Sequence, residues 1–371
     1  MKICAVIAEY NPFHNGHLKQ IEYIKKNLPD TAIVAVISGN VVQRGELAIL
    51  DKYKRAEMAV SCGVDAVLEL PYPWCGGSAG YFAKGGVEIA KAIGADYLCF
   101  GSESGDIDEL RLIADRTMSK EYADHLDTLI KGEQEASYIS LSRRAYRELY
   151  GSDIPDGANN TLAIEYLKHT GDIIPVTYKR TYPSSATAAR AFLRSGELDE
   201  FSATVPHAVS DACKMDEIVE NEKISAVILW KLCTTNVEEL CRYADIDPGI
   251  ASRLVSAAKD SRTLKELYEK CATKKYTNSR LRRCVFNILL GTTKDRLESA
   301  PVYTTLLAAN EKGCKAVKQI KKLGRIQVIT KPADHDAVRD QFEFSFGADR
   351  LFALAMGISP NEFIKNKPVI M

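Results

Sequence analysis

Two histidines three residues apart, His14 and His17, lie in the segment Asn11-Pro12-Phe13-His14-Asn15-Gly16-His17. An apolar run at 3–8 precedes them, and a segment with helical spacing follows. A strand that turns at Pro and Gly into a helix presents backbone N–H groups and a positive dipole end, which favour anionic oxygens. Imidazoles at such a turn donate hydrogen bonds to a polyphosphate, most effectively where negative charge grows in a transition state. Metal binding through the same pair would need further ligands. No cysteine or acidic residue stands at matching spacing, and Gly16 puts the pair on a turn. A phosphate ligand is therefore expected, and no metal site.

Far downstream, Ser184-Ser185-Ala186-Thr187-Ala188-Ala189-Arg190 follows a strand-like run and opens a helix. Its hydroxyls and N–H groups suit phosphate oxygens, and Arg190 adds a guanidinium fork for the same anion. Taken alone, the stretch is equally an ordinary helix N-cap. Ser38-Gly39-Asn40 and Gln43-Arg44-Gly45 read as a surface loop, or as a loop over the site that brings Arg44 to a substrate anion. Lys54-Arg55 reads as a solvated helix face, and Glu69, near the end of a strand, as a residue that caps or pairs locally. Two basic runs stand in the C-terminal half. Lys270, Lys274, Lys275, Arg280, Arg282 and Arg283 have Tyr268 and Tyr276 among or beside them, and no acid interrupts the chain from 270 to 294. Lys312, Lys315, Lys318, Lys321, Lys322 and Arg325 form the second run. Cations with interleaved aromatics suit phosphates and unstacked bases, although each run alone also fits a solvated helix face.

The elements that must hold these residues alternate. Strand-like runs at 3–8, 32–37, 65–70 and 96–100 are separated by helical patterns at 16–28, 52–62 and 78–93. In the first helix Leu18, Ile21, Ile24 and Leu28 share one face. Continuous apolar strands between helices argue for a parallel sheet covered on both faces. Its ligand lies at the carboxyl ends of the strands, near the reversal of strand order, which is where the His14 turn falls. Residues 106–170 read as mostly helical, including 133–150 and 161–169, followed by a strand at 172–178 and a helix at 187–193. Beyond 205 the β pattern fades into helices at 218–231, 236–243, 249–259, 264–271 and 349–356, with a short strand at 325–330. The expected fold is α/β: a Rossmann-like parallel-sheet domain over 1–205, then a mainly α-helical domain over 206–371.

The chain of 371 residues exceeds what one core usually serves, in keeping with two domains. A formal net charge of +0 leaves any nucleic-acid contact to local clusters such as the two basic runs. None of the ten cysteines forms a C-x-x-C pair, and several lie in apolar runs, as expected of reduced thiols in the cytosol. No leader segment and no membrane-spanning run is expected, so the expected location is cytoplasmic.

His14-Asn15-Gly16-His17 resembles the HxGH signature of the HIGH-type nucleotidyltransferases and class I aminoacyl-tRNA synthetases. The Ser-Ala-Thr-Ala-Ala-Arg stretch ending at Arg190 resembles their second nucleotide element. A finer resemblance, to the tRNA(Met) cytidine acetate ligase family, covers most of the chain. It is carried by Ala8-Glu9-Tyr10-Asn11-Pro12-Phe13-His14-Asn15-Gly16-His17-Leu18, Ser38-Gly39-Asn40-Val41-Val42-Gln43-Arg44-Gly45-Glu46 and Lys54-Arg55-Ala56-Glu57-Met58-Ala59. Gly63-Val64-Asp65-Ala66-Val67-Leu68-Glu69-Leu70-Pro71, Cys99-Phe100-Gly101-Ser102-Glu103 and Asn159-Asn160-Thr161-Leu162-Ala163-Ile164-Glu165-Tyr166-Leu167 continue it.

The resemblance implies ATP-dependent activation of acetate to acetyl-adenylate and acetyl transfer to N4 of the wobble cytidine of elongator tRNA(Met). It implies that His14 and His17 stabilise charge on the phosphates. It also implies that Ile7, Ala8, Glu9, Tyr10, Asn11, Pro12, Phe13, His14, Asn15, Gly16, His17, Leu18, Lys19 and Gln20 wrap the nucleotide. Gly101 would let the backbone approach the adenosine, Asn160 would meet the ribose or base, and Arg180 a phosphate. Ser185, Thr187 and Arg190 would hold the outer phosphates, with Mg²⁺ bridging the β- and γ-phosphates. The chain departs from the family pattern at Ala189, where a larger apolar residue is usual, at Ala158, where proline is common, and in the short connection Thr181-Tyr182-Pro183. The same two nucleotide motifs would also serve a small-molecule adenylyl- or cytidylyltransferase acting on a phosphorylated metabolite, although such enzymes rarely carry a further helical domain.

Overall fold

The computed structural model describes residues 1–133, 135–180, 185–215 and 218–371. Strand β1 (Lys2–Ala8) leads into helix α1 (Asn15–Asn27) and strand β2 (Thr31–Ser38). A small antiparallel hairpin, β3 (Val41–Val42) with β4 (Glu46–Leu47), precedes α2 (Lys52–Ser61), β5 (Ala66–Leu70), α3 (Ala79–Ala92) and β6 (Tyr97–Ser102). Helices α4 (Ile107–Thr117), α5 (Lys120–Gly132), α6 (Tyr138–Tyr150) and α7 (Ala158–Leu167) come before β7 (Ile174–Lys179) and α8 (Ala186–Ser195). A helical stretch over 198–298 follows, and then β8 (Tyr303–Ala309), β9 (Gln327–Ile329) and β10 (Val369–Ile370).

The sheet order is β10-β8-β5-β2-β1-β6-β7, with β9 added on β8. From β5 to β7 every neighbour is parallel. The chain winds outward from β1 through β2 to β5, then restarts at β6 on the other side of β1. The reversal puts a crevice at the carboxyl ends of β1 and β6, where such sheets bind ligands. From Ile3 on β1 is apolar because both its faces are covered. Ile3, Ala5 and Ile7 pack with Val87 and Ala90 of α3, whereas Cys4 and Val6 pack with Ile21 and Ile24 of α1 and Ala56 of α2.

Strand β8 departs from the helical reading of the chain beyond 205. It pairs antiparallel with β5, Ala308 opposite Val67, so the sheet draws on the last third of the sequence. Its Leu-Leu-Ala-Ala core favours helix by propensity, and burial on both sides overrides that preference. The segment expected at 325–330 is β9, and the helix expected at 349–356 begins ten residues earlier, as Arg339–Met356.

The two basic runs lie at opposite ends of the sheet. Helix Glu311–Leu323 crosses the amino ends of the strands. There Lys312 donates to the Thr31 carbonyl at 2.7 Å, the Met1 ammonium meets Gln319 at 3.2 Å, and Leu323 lies against Gly94. Helix Asn278–Leu290 instead rests against the β3–β4 hairpin, which follows the carboxyl end of β2.

Candidate active site

The His14 turn is built by a reciprocal cap. His14, extended at φ −135° and ψ 171°, is the N-cap of α1, and its Nδ1 accepts from the Gly16 N–H at 3.0 Å. His17 Nδ1 accepts in turn from the His14 N–H at 3.1 Å. With both Nδ1 atoms accepting, each neutral ring carries its proton on Nε2. The rings stack with centroids 3.7 Å apart, and His17 packs edge-on to Tyr10 at 4.8 Å. Tyr10 holds φ +47°, a conformation that costs an aromatic residue energy and is sustained by its full burial beside Phe13.

Burial holds the His14 imidazole down at about 4, and the Arg180 and Arg190 guanidiniums push the same way. His17 is pushed well below its ordinary value by burial first, then by His14 and Arg180. Both rings are therefore neutral near pH 7 and donate without repelling each other.

A stability effect follows from His14. Between about 6.5 and 4 the unfolded chain binds a proton that folded His14 refuses, so stability is lost as pH falls through that window, by roughly 2–3 kcal/mol. Asp349, raised to about 6 chiefly by burial, works in the opposite sense over overlapping pH. The comparison with His14→Asn isolates the histidine. Urea midpoints measured at about pH 7 and pH 4.5 should fall less in that variant than in the wild type.

The facing wall comes from α8. Ser185 caps this helix, its Oγ accepting from the Ala188 N–H at 3.1 Å. Arg190, mostly buried, donates through Nη1 to the Asn11 carbonyl at 2.7 Å and through Nη2 to Thr187 Oγ1 at 3.4 Å. The two motifs thus meet through one arginine, which stands 179 positions after Asn11. Asn11 is tied again by Oδ1, which accepts from the Ile49 N–H at 2.9 Å. Ser184 and the Thr181-Tyr182-Pro183 connection lie outside the described residues. Ala189 is fully buried in the core that contains Val6 and Phe13.

At the end of β6, a Cβ on Gly101 would stand 2.9 Å from Arg180 Cγ and 3.0 Å from the Tyr178 ring. Glycine here lets Arg180 and Tyr178 cross the strand end. Arg180 reaches Asn159 Oδ1 at 3.3 Å, and its charge acts on both histidines. Asn160 is buried and largely occupied by the protein. Its Oδ1 accepts from the N–H groups of Glu103 and Ser104 at 3.0 and 3.1 Å, and its Nδ2 donates to the Asp156 carbonyl at 2.6 Å. Glu103 closes the arrangement by accepting from the Asn159 side chain and from the Asn160 N–H. Asn160 therefore shapes the loop after β6.

The remaining residues of the 7–20 segment divide between site and scaffold. Ile7 and Ala8 end β1, Glu9 accepts from the Gln43 N–H at 2.8 Å, and Asn15 donates to the Ala203 carbonyl at 3.0 Å. Pro12 and Phe13 are buried under the turn. Gln20 is buried and donates to the Cys99 carbonyl at 2.9 Å, tying α1 to β6. Leu18 packs partly buried beside the core, whereas Lys19 is exposed and pairs with Glu22.

Arg55 corrects the reading of Lys54-Arg55 as a solvated face. Lys54 is exposed, but Arg55 is fully buried and donates to the carbonyls of Leu50, Glu9, Ser38 and Gly39. It fastens the loops after β1 and β2 together. Burial lowers its pKa to about 10, so it stays charged near pH 7. Beneath it, Lys52 Nζ lies 2.7 Å from both Glu69 Oε1 and Asp349 Oδ2, and Asn40 Nδ2 donates to Asp349 at 2.9 Å. Glu69 thus pairs locally and also reaches the C-terminal helix Arg339–Met356. Sequence reasoning missed this network, although a lone carboxylate inside the apolar runs Ala-Val-Leu-Glu-Leu and Gly-Ala-Asp-Arg-Leu-Phe was its signal.

A parallel sheet with neutral, reciprocally capped histidines at its reversal point and an arginine helix opposite defines a site of the HIGH nucleotidyltransferase class. The profile of the HIGH Nucleotidyl Transferase family matches residues 1–366. The chain is 34% identical to the tRNA(Met) cytidine acetate ligase of Acetivibrio thermocellus, over 90% of this chain and 89% of that protein. It is 32% identical to the protein of the same name from Syntrophotalea carbinolica, over 96% and 91%. A crystal structure of Thermotoga maritima TmcAL bound with alpha-thio ATP matches with a TM-score of 0.93 at 26% identity, covering 100% of each chain. The chain belongs to the tRNA(Met) cytidine acetate ligase family of HIGH nucleotidyl transferases.

Proposed function

We propose that this chain activates acetate with ATP and transfers the acetyl group to N4 of the wobble cytidine of elongator tRNA(Met). The observation that carries the reading is the pair of neutral Nε2–H donors held at the sheet's reversal point by mutual Nδ1 caps. An acetate oxygen attacks the α-phosphorus of ATP, the bond to the bridging oxygen breaks, and pyrophosphate leaves. N4 of the cytidine then attacks the acyl carbon, the C–O bond to AMP breaks, and N4 releases a proton to solvent. Neither step needs a protein nucleophile; each needs positioning and neutralisation of charge.

His14 and His17 donate to the phosphate oxygens as charge builds. Arg180 and Arg190 flank them, with α8 offering its N-terminus to the outer phosphates. Among the described residues no three His, Cys, Asp or Glu side chains cluster to hold a metal ion, so Mg²⁺ would be carried by the polyphosphate itself and neutralise part of its charge.

The division into a catalytic part at 1–205 and an RNA-binding part at 206–371 belongs to this reading. Within the second part, the 270–283 run lies at the ATP end of the sheet and is the one placed to meet tRNA. Among the described residues no helix is long and apolar enough to cross a membrane. Work on tRNA in the cytoplasm fits that. Incubating the purified protein with ATP, labelled acetate and elongator tRNA(Met) should yield labelled N4-acetylcytidine in the nuclease digest. Absence of label from RNA, with the protein folded, would exclude the activity.

A further inference from the structure

Beside the ATP site lies a second, open cavity of about 460 Å³. The β3–β4 hairpin, α8, the turn at 220–222 and helices Leu264–Cys271 and Asn278–Leu290 form its walls. We propose that this groove holds the nucleotide next to the one being acetylated, with Arg44 on its phosphate and Arg282 stacked under its base. The inference rests on the RNA substrate proposed above and adds where and how that RNA is gripped.

The hairpin tip is fixed by a close approach that only glycine permits. Gly45 has φ +70°, and a Cβ there would stand 2.5 Å from the backbone nitrogen of Arg283. The tip therefore sits on the helix that carries the first basic run, and Arg44 directly precedes Gly45, a residue of the groove's lining. Arg44 is exposed and has no hydrogen bond or ion pair among the described residues. Its charge is felt by Arg190 on one side and Arg282 on the other. A line of cations thus runs from the His14 turn into the groove. Arg194, which lines the groove, follows Arg190 by one helical turn, about 6 Å, a distance one nucleotide spans.

The groove's chemistry suits a base more than a simple anion. Arg282 lies over the Tyr268 ring at 5.6 Å, and it pairs with Glu46 from the opposite wall. Its guanidinium is thereby held between the two walls, with about a third of the side chain still open for a base. Glu220 is engaged by Arg194 at 2.9 Å, and Glu222 accepts from the N–H groups of Leu264 and Lys265. Lys265 and Glu269 stand exposed at the rim. Four carboxylates, Glu46, Glu220, Glu222 and Glu269, outnumber the three cations Arg194, Lys265 and Arg282 in the lining, so the groove itself suits a nucleobase with donors and acceptors, and the phosphate falls to Arg44 beside it. The second basic run gives Lys321 and Arg325 to a separate cavity of about 340 Å³, which shares no lining residue with this groove.

The test measures binding without turnover, using a fluorescein-labelled transcript of elongator tRNA(Met). Arg44→Glu should raise Kd about tenfold and Arg44→Ala about threefold, with the slope of log affinity on log salt reduced by about one. Lys318→Glu, on the far helix, should stay within about twofold. Arg282→Lys keeps the charge but loses the plane, and should weaken binding about fivefold. Thermal melting of each variant confirms the fold. Affinity unchanged in both Arg44 variants, or reduced equally by Lys318→Glu, would overturn the proposal. Wild-type acetylation with unaltered affinity in Arg44→Glu removes the groove but leaves the activity. Groove-dependent binding without acetylation does the reverse.

Discussion

Replacing His14 or His17 with alanine should lower acetate-dependent exchange of pyrophosphate into ATP by about 10²–10³-fold, because in the proposed reaction each is a preorganised donor to the phosphate transition state. The loss falls on the rate at saturating substrate more than on ATP affinity, since the donated bonds strengthen as charge develops. The two losses do not multiply in the double variant. Each Nδ1 holds the turn that orients the other ring, so removing one already displaces its partner. His14→Ala also sacrifices an N-cap worth about 1 kcal/mol, whereas asparagine caps well. His14→Asn should therefore melt near the wild-type temperature while remaining far slower. Exchange rates of the alanine variants within a few-fold of wild type would show that the imidazoles do not act on the phosphates.

Lys52→Met should destabilise the fold by about 3–5 kcal/mol, the cost of leaving buried carboxylates without their cation. Lys52, Glu69 and Asp349 are each under 10% exposed, and among the described residues the lysine is the single positive charge in contact with both acids. Burial alone would lower the Lys52 pKa, but the two carboxylates outweigh it and hold the pKa well above its ordinary value. Adding Asp349→Asn should recover part of the loss, because the neutral amide still accepts from Asn40 and no longer needs a counter-charge. Urea titration of the three proteins measures this. A cost below about 1 kcal/mol for Lys52→Met would mean that water reaches the cluster. The network ties β5 and α2 to helix Arg339–Met356, so its failure would loosen the C-terminal segment from the sheet edge.

The strands and helices of the first hundred residues were legible because local and global preferences agree there. β1 and β2 are apolar from Ile3 to Ala8 and from Ala32 to Ile37, β5 is broken only by Glu69, and α1 carries Ile21 and Ile24 on its buried face. β8 was illegible because leucine and alanine do not announce a strand until two neighbours bury them. Arg55 was misjudged for a related reason. A Lys-Arg pair on a helix faces water by default, and only the convergence of four carbonyls from three loops makes an interior place for a guanidinium.

By itself the sequence determined the chemistry on offer: a strand, a Pro-Gly turn with two histidines, a later serine-capped helix bearing Arg190, and the order in which they come. Those are local properties, set by residue type and by spacing of a few positions. Tertiary structure decided what they do together. It joined Arg190 to Asn11 across more than 170 residues, and tied Asn160 to the loop after β6 and Gln20 to β6 itself. It also sorted two equally basic runs to opposite ends of one sheet, only one of them against the β3–β4 hairpin that follows the carboxyl end of β2. Charge patterns along a chain say nothing of which end of a strand they will face; the reversal at β1 and β6, and the antiparallel return of β8, settle that.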